Sequence, residues 1–374
     1  MSKKIFALMS FLIVFSMVLA ACGGGATEAP AEPTAAPVEP TAAPVEPTAP
    51  PVEGAVFKAC QVTDTGGIDD ESFNATAWKG IQDAMAELGI EGKYLESQQQ
   101  TDYEKNINAF LTEGCNIIIP VGYLLGDATA AAAAANPEVP FAIVDFGYDP
   151  TIPNVRGSGY QIDQATFLAG YLAAGMTETG IVGTYGGLDI PPVTAFMDGF
   201  YLGVQKYNEV KGTDVQVLGW DPVARTGLFA GNFDSTDDGR RLGESLLDEG
   251  ADIIMPVAGP VGSGTLAVMQ ERGTGLLIGV DSQWDAEYAY PQYADFILAN
   301  ALKKMDAWVV DSIKKVILGT FAGEQFLGTL ENGYVDLSYG SMWADKVPAE
   351  LKAEIDALKL EIIAGTIATM PVAP

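Results

Sequence analysis

Two well-separated stretches of this chain are near-copies: Glu113-Gly-Cys-Asn-Ile-Ile-Ile-Pro120 and Glu249-Gly-Ala-Asp-Ile-Ile-Met-Pro256. Each reads as a helix end followed by a short apolar run, the pattern of a strand buried on both faces. Short apolar runs alternate with helical stretches around both. The first round has strands at 56–62, 93–96, 116–120 and 141–144, with helices at 74–87, from 101 (opened by Thr101-Asp-Tyr-Glu104 as a capping box) and an alanine-rich one ending near Asn136. The second has helices at 167–176, 193–208, 237–249 and 264–272, with strands at 180–184, 215–218, 252–256 and 276–280. Such alternation marks βαβ units around parallel sheets. Its repetition predicts an α/β protein of two doubly wound lobes, with a cleft where the strand ends of the two meet.

Beyond residue 281 the pattern predicts a long helix over 298–318 and another over 348–363. If each finishes a different lobe, the chain crosses three times. Lobe 1 is then expected as 55–160 plus 283–320, and lobe 2 as 161–282 plus 321–366.

The N-terminus bears on the compartment. Lys3 and Lys4 precede an apolar run to Leu19, and Leu19-Ala20-Ala21-Cys22 closes it. That is a secretory signal peptide over 1–21, and its ending resembles a lipobox, which implies acylation of Cys22. Two acyl chains hold a protein to a membrane far better than one. Residues 22–54 repeat Glu-Pro-Thr-Ala-Ala-Pro-Val almost verbatim. Proline at this density predicts an extended spacer, reaching about 90 Å at about 3.1 Å per residue. The expected location is extracytoplasmic, with the lipid anchor as the sole membrane contact.

Charge narrows the functions further. The chain has 20 Lys and Arg against 49 Asp and Glu, a net charge of −29, and no histidine. So acidic a surface argues against nucleic acid and phosphate esters as partners. Without histidine there is no Ser-His or Cys-His nucleophile and no histidine metal site. No P-loop or nicotinamide fingerprint is present, so neither an enzyme, a cofactor nor a metal is expected. Cys60 and Cys115 sit in apolar strand-like runs and are expected as buried free thiols rather than a bridge.

The loop between the first strand and first helix, Thr63-Asp-Thr-Gly-Gly-Ile-Asp-Asp-Glu-Ser-Phe-Asn74, carries carboxylates, an aromatic ring and an amide at a strand's carboxyl end. Its glycines allow close approach of a ligand. An equally simple reading is helix capping by Ser72 or Asn74, with Asp69 and Asp70 favouring the positive helix end.

Residues 63–80, TDTGGIDDESFNATAWKG, resemble the opening signature of the basic-membrane-protein family. The likeness continues in order through Phe167-Leu-Ala-Gly-Tyr-Leu-Ala-Ala174, Gly187-Leu-Asp-Ile-Pro191, Gly250-Ala-Asp-Ile-Ile254, Gly279-Val-Asp281 and Ala301-Leu-Lys-Lys304. It implies the type I periplasmic-binding-protein fold and a monomeric substrate-binding lipoprotein serving an ABC permease and ATPase. It also implies a purine nucleoside as ligand. On matching positions, Phe73 would form one face of a base stack with Asp64, Asp70 and Asn74 as polar neighbours, and Asp145 would read the base edge. Phe196 would be the opposite face, although a helix-core aromatic explains it nearly as well. Gly259 or Gly262, Asp281 and Lys303 would hold the ribose; Lys303, read inside a helix, is alternatively a solvated face residue. An ionised carboxylate can accept from both hydroxyls of a cis-diol. A pentose or hexose would suit such a strand end too, and a ligand-sensing lipoprotein would share the fold. The segment 219–234 is longer than the family's usual loop, and Trp220 or Phe229 is expected to reach the cleft from it.

Overall fold

The computed structural model describes residues 56–285 and 289–371; the leader, Cys22 and the spacer lie outside the described residues. The chain begins with β1 (Lys58–Val62), α1 (Phe73–Leu88), β2 (Glu91–Leu95), α2 (Asp102–Glu113), β3 (Ile117–Pro120), α3 (Gly126–Ala135), β4 (Phe141–Ile143) and β5 (Val155–Tyr160). These strands pair in parallel in the order 5-4-3-1-2, so β1, β3 and β4 are central. Apolar side chains on both faces of Ile117-Ile118-Ile119 are fully buried, which explains why this run does not alternate.

After Tyr160 the chain enters lobe 2 with α4 (Ile162–Met176), β6 (Ile181–Gly186), α5 (Pro191–Lys211), β7 (Gln216–Leu218), the hairpin β8 (Trp220–Asp221) and β9 (Thr226–Gly227), α6 (Thr236–Asp248), β10 (Ile253–Val257), α7 (Gly262–Arg272), β11 (Leu276–Asp281) and β12 (Ile297–Lys303). It returns to lobe 1 with α8 (Met305–Ile317), which packs on α1, and β13 (Gln325–Gly328), which pairs with β5. It ends in lobe 2 with β14 (Val335–Tyr339), antiparallel to β12, and α9 (Ala349–Ile363). The second sheet runs 14-12-11-10-6-7. Without the late strands β13 and β14, the two sheets share one strand order, that of a doubly wound α/β sheet.

Three expectations need correction. Residues 297–303 form a strand, so the return to lobe 1 falls at Lys304 and not after 282, and the last crossing lies between Gly328 and Val335, not at 320. The run Ile-Leu-Ala-Asn-Ala-Leu-Lys favours helix by composition, but pairing between β11 and β14 in the buried sheet overrides it. Thr101 makes no capping bond; the carboxylate of Asp102 instead accepts from Gln98 N at 3.2 Å. Cys60 and Cys115 are joined as a disulfide, with Cα atoms 6.1 Å apart.

Among the described residues, no helix is long and apolar enough to cross a membrane, and no group of three or more metal-ligating side chains is assembled.

Candidate functional site

The carboxyl ends of seven strands, three from the first sheet and four from the second, open on one cavity between the lobes. Asp64 and Asp70 follow β1, and Phe73 and Asn74 open α1. Asp145 follows β4. Gly259 follows β10, Asp281 ends β11, Lys303 ends β12 and Phe196 lies in the first turns of α5. All nine line the cavity. Gly262 does not. It opens α7 beneath Trp284, where a Cβ would stand 2.6 Å from the indole.

The first loop is knitted by its own polar groups. Asp70 caps α1: Oδ1 accepts from Ser72 N (3.0 Å) and Ala75 N (2.9 Å), and Oδ2 from Asn74 N (2.7 Å). Asn74 Nδ2 donates to Asp64 Oδ1 (2.7 Å) and Asp70 Oδ2 (3.0 Å), while its Oδ1 accepts from Asp64 N (3.3 Å). The capping reading therefore holds for Asp70, and for neither Ser72 nor Asn74. Burial still pushes the Asp70 carboxyl up to about 7 against these amide bonds. Burial also raises Asp64, with Asp145 adding to the rise and Asn74 opposing it. Gly122 lies against Asp64, with φ +123 and a Cβ position only 3.1 Å from Oδ2, so only glycine fits there.

Across the cavity the polar groups are less satisfied. Lys303 is 3% exposed, because it ends a central strand and is not on a helix face. Its Nζ donates to Asp145 Oδ2 at 2.6 Å and stands 3.7 Å from Asp281 Oδ1, beyond hydrogen-bond reach. The same ammonium lies 4.8 Å from the ring centre of Phe196 and 5.6 Å from that of Phe73. Burial alone would lower its pKa, but Asp145 and Asp281 together raise it. Asp281 Oδ1 has no hydrogen-bond partner among the described residues. Burial pushes this carboxyl up to about 6, with Lys303 pulling the other way. The site thus offers a desolvated acceptor and an ammonium beside two aromatic rings. Asp145, expected at a base edge, has one oxygen engaged by Lys303.

Sequence reasoning missed Tyr123, Leu124, Ile190, Pro192 and Phe233, which complete an apolar wall. The long segment does reach the cavity, but through Phe233. Trp220 is buried in lobe 2, its indole N–H donating to Asp198 at 2.9 Å, and Phe229 packs edge-on against it. Phe233 lies across Gly187, where a Cβ would sit 2.2 Å from the ring. The glycine in Gly187-Leu-Asp-Ile-Pro191 was the available signal.

Two doubly wound lobes, three chain crossings and a cavity between strand ends are the architecture of the type I periplasmic-binding-protein fold. Residues 57–369 match the Bmp family, described as ABC transporter substrate-binding protein PnrA-like, and the chain belongs to that family. It is 30% identical to the CD4+ T-cell-stimulating antigen of Listeria innocua, over 98% of each chain. It is 29% identical to the ABC transporter nucleoside-binding protein BmpA of Lactococcus lactis, over 84% of this chain and 89% of that one. Among solved structures, an ABC transporter system solute-binding protein of Aeropyrum pernix superposes with a TM-score of 0.73 at 25% identity, covering 85% of this chain and 94% of that chain.

Proposed function

We propose that this protein is a lipoprotein, acylated at Cys22, that captures a purine nucleoside outside the cytoplasm by closing its lobes and hands it to an ABC permease. The observation that carries the reading is the grouping of Asp281 Oδ1, unpartnered, and Lys303 Nζ beside the rings of Phe73 and Phe196. The carboxylate suits a ribose diol as acceptor, the ammonium suits its oxygens, and the rings suit a stacked base. Asp64 Oδ2 makes no hydrogen bond among the described residues and is assigned to the base edge. Asp145 is assigned to hold Lys303 in place. Four carboxylates against one lysine disfavour a phosphate group. The name of the Lactococcus lactis relative supports the ligand class, and a buried disulfide suits an oxidising compartment.

Calorimetry with adenosine, guanosine, inosine, ribose and AMP tests the reading. Nucleosides are expected to bind, with ribose and AMP far weaker. Phe73→Ala is expected to weaken binding by about 1–3 kcal/mol through lost stacking. Tight binding of ribose or AMP without a nucleoside signal refutes the ligand class. Release of Cys22→Ser from the membrane fraction tests the anchor; retention with an uncleaved leader refutes it.

A further inference from the structure

A set of hydrogen bonds crosses between the lobes beside the cavity. Ser72, at the head of α1 in lobe 1, directs its Oγ at Val280 O (3.1 Å) and Asp281 Oδ2 (3.4 Å) of lobe 2. Ser282 of lobe 2 donates back to Glu71 O at 2.9 Å. Lys303 of lobe 2 donates to Asp145 of lobe 1. The residues these bonds engage share a second property. Glu71, Asp145 and Asp281 have φ of 52°, 59° and 66°, a region that non-glycine residues occupy only when their surroundings hold them there. Each is held by a partner from the opposite lobe: Glu71 by Ser282, Asp145 by Lys303 and Asp281 by Ser72.

We propose that Ser72 and Ser282 form a reciprocal interlobe latch that closes the protein part of the time without ligand and, through Ser72, orients Asp281 for the ligand. The second role rests on the reading of Asp281 as the ribose-gripping carboxylate. Ser282 lies outside the cavity lining, so its bond to Glu71 acts on closure and not on the ligand. A ligand that binds only the closed form has its apparent Kd raised by the reciprocal of the closed fraction. A latch that raises that fraction tightens binding with no contact of its own. Ser72 is a positioning residue: one oxygen of Asp281 is tied to lobe 1 while the other faces the cavity.

The test compares wild type with Ser72→Ala, Ser282→Ala, Ser282→Thr and Phe73→Ala. Unliganded dimensions are read by small-angle scattering, and inosine affinity by calorimetry. Loss of either serine hydroxyl should shift the unliganded protein towards the open form and weaken inosine roughly three- to tenfold, the range of one hydrogen bond. Ser282→Thr should restore both. Phe73→Ala should weaken inosine while shifting unliganded dimensions less than the serine variants do, because its ring meets lobe 2 through the Lys303 ammonium at 5.6 Å and not through a hydrogen bond. Serine variants with wild-type unliganded scattering overturn the latch, whatever their affinity. Failure of the wild type to bind any nucleoside overturns the ligand reading instead, and scattering of the unliganded variants still decides the latch.

Discussion

The two lobes solve the same packing problem differently at one equivalent point. Cys60 on β1 stands opposite Ile118 on β3, and Gly183 on β6 stands opposite Ile254 on β10. Cys115 and Ala251 each precede those partners by the same short step, at the head of the duplicated strand. In lobe 1 the pair is a disulfide. In lobe 2 a Cβ on Gly183 would lie 3.5 Å from that of Ala251, a separation that disulfides use, yet the pair is glycine and alanine. The backbone of the repeat therefore presents the bridging geometry in both lobes, and residue choice alone decides whether it is used. A second contrast concerns two carboxylates at the cavity. Asp70 of lobe 1 spends both oxygens on the amides of α1, whereas Asp281 of lobe 2 keeps Oδ1 without a hydrogen bond.

The largest effect should come from removing the bridge. Cys60 and Cys115 are 55 residues apart, and in the loop-entropy account Cys60→Ala with Cys115→Ala costs about 4 kcal/mol. Guanidinium unfolding of the folded part measures it. An unchanged midpoint would mean that the lobes differ in sulfur but not in stability.

The contrast between carboxylates predicts opposite symptoms. Asp70→Ala leaves buried helix amides unpaired and should lower stability by about 1–2 kcal/mol. Asp281→Ala removes a desolvated charge, so the fold should tolerate it, while nucleoside affinity falls by about 1–3 kcal/mol, or roughly ten- to a hundredfold. Thermal melts and calorimetry on both variants read the two axes. A destabilised Asp281→Ala with normal affinity would reverse the assignment.

Copying the bridge into lobe 2 should give less than its natural counterpart. Leu246 methyls stand 3.2 Å from the Gly183 Cβ position and must turn aside. Gly183→Cys with Ala251→Cys is therefore expected to oxidise and add about 1–2 kcal/mol at most. Free-thiol titration and unfolding check it, and two persistent thiols would show that the lobes are not geometrically equivalent there.

The smallest effect concerns pH. Asp281 and Asp70 hold protons more tightly in the folded state, up to about 6 and about 7, than an ordinary carboxyl does. Their stabilising contribution is complete below about pH 4 and is lost as pH rises through these values. The unliganded melting point should thus gain from these groups as pH falls from about 8 to about 5. Affinity should move the other way, because a diol needs Asp281 ionised. Asp281→Asn should shrink the affinity change across that window, with Asp64 and Asp70, also raised by burial, carrying the remainder, and a flat wild-type affinity would contradict the assignment.

Much of this molecule is legible in its residues. Ile117 to Ile119 and Ile253 to Met255 read as strands buried on both faces and are so, and the loop from Thr63 to Asn74 was placed at a strand's carboxyl end, where it lines the cavity. Both fifth strands were missed, for one reason. Val-Arg-Gly-Ser-Gly-Tyr in β5 has little strand propensity, and Ile-Leu-Ala-Asn-Ala-Leu-Lys in β12 favours helix; their neighbours in the sheets make them strands. Missing β12 carried Lys303 onto a helix face and displaced the return to lobe 1; the last boundary moved because β13, at 325–328, joins β5 in lobe 1.

Local pattern determined what depends on near neighbours: the βαβ rhythm, the duplicated lobe, and the carboxylate-rich loop with its aromatic. Tertiary structure decided what depends on distant segments meeting. Cys60 finds Cys115 only because β1 lies beside β3 in the sheet. Lys303 meets Asp145 only because the ends of β12 and β4 face each other across the cleft. Phe233, and not Trp220, enters the cavity because Asp198 holds the tryptophan inside lobe 2. Periodicity is written along one segment, whereas these pairings depend on the whole chain minimising buried, unpartnered polar groups at once.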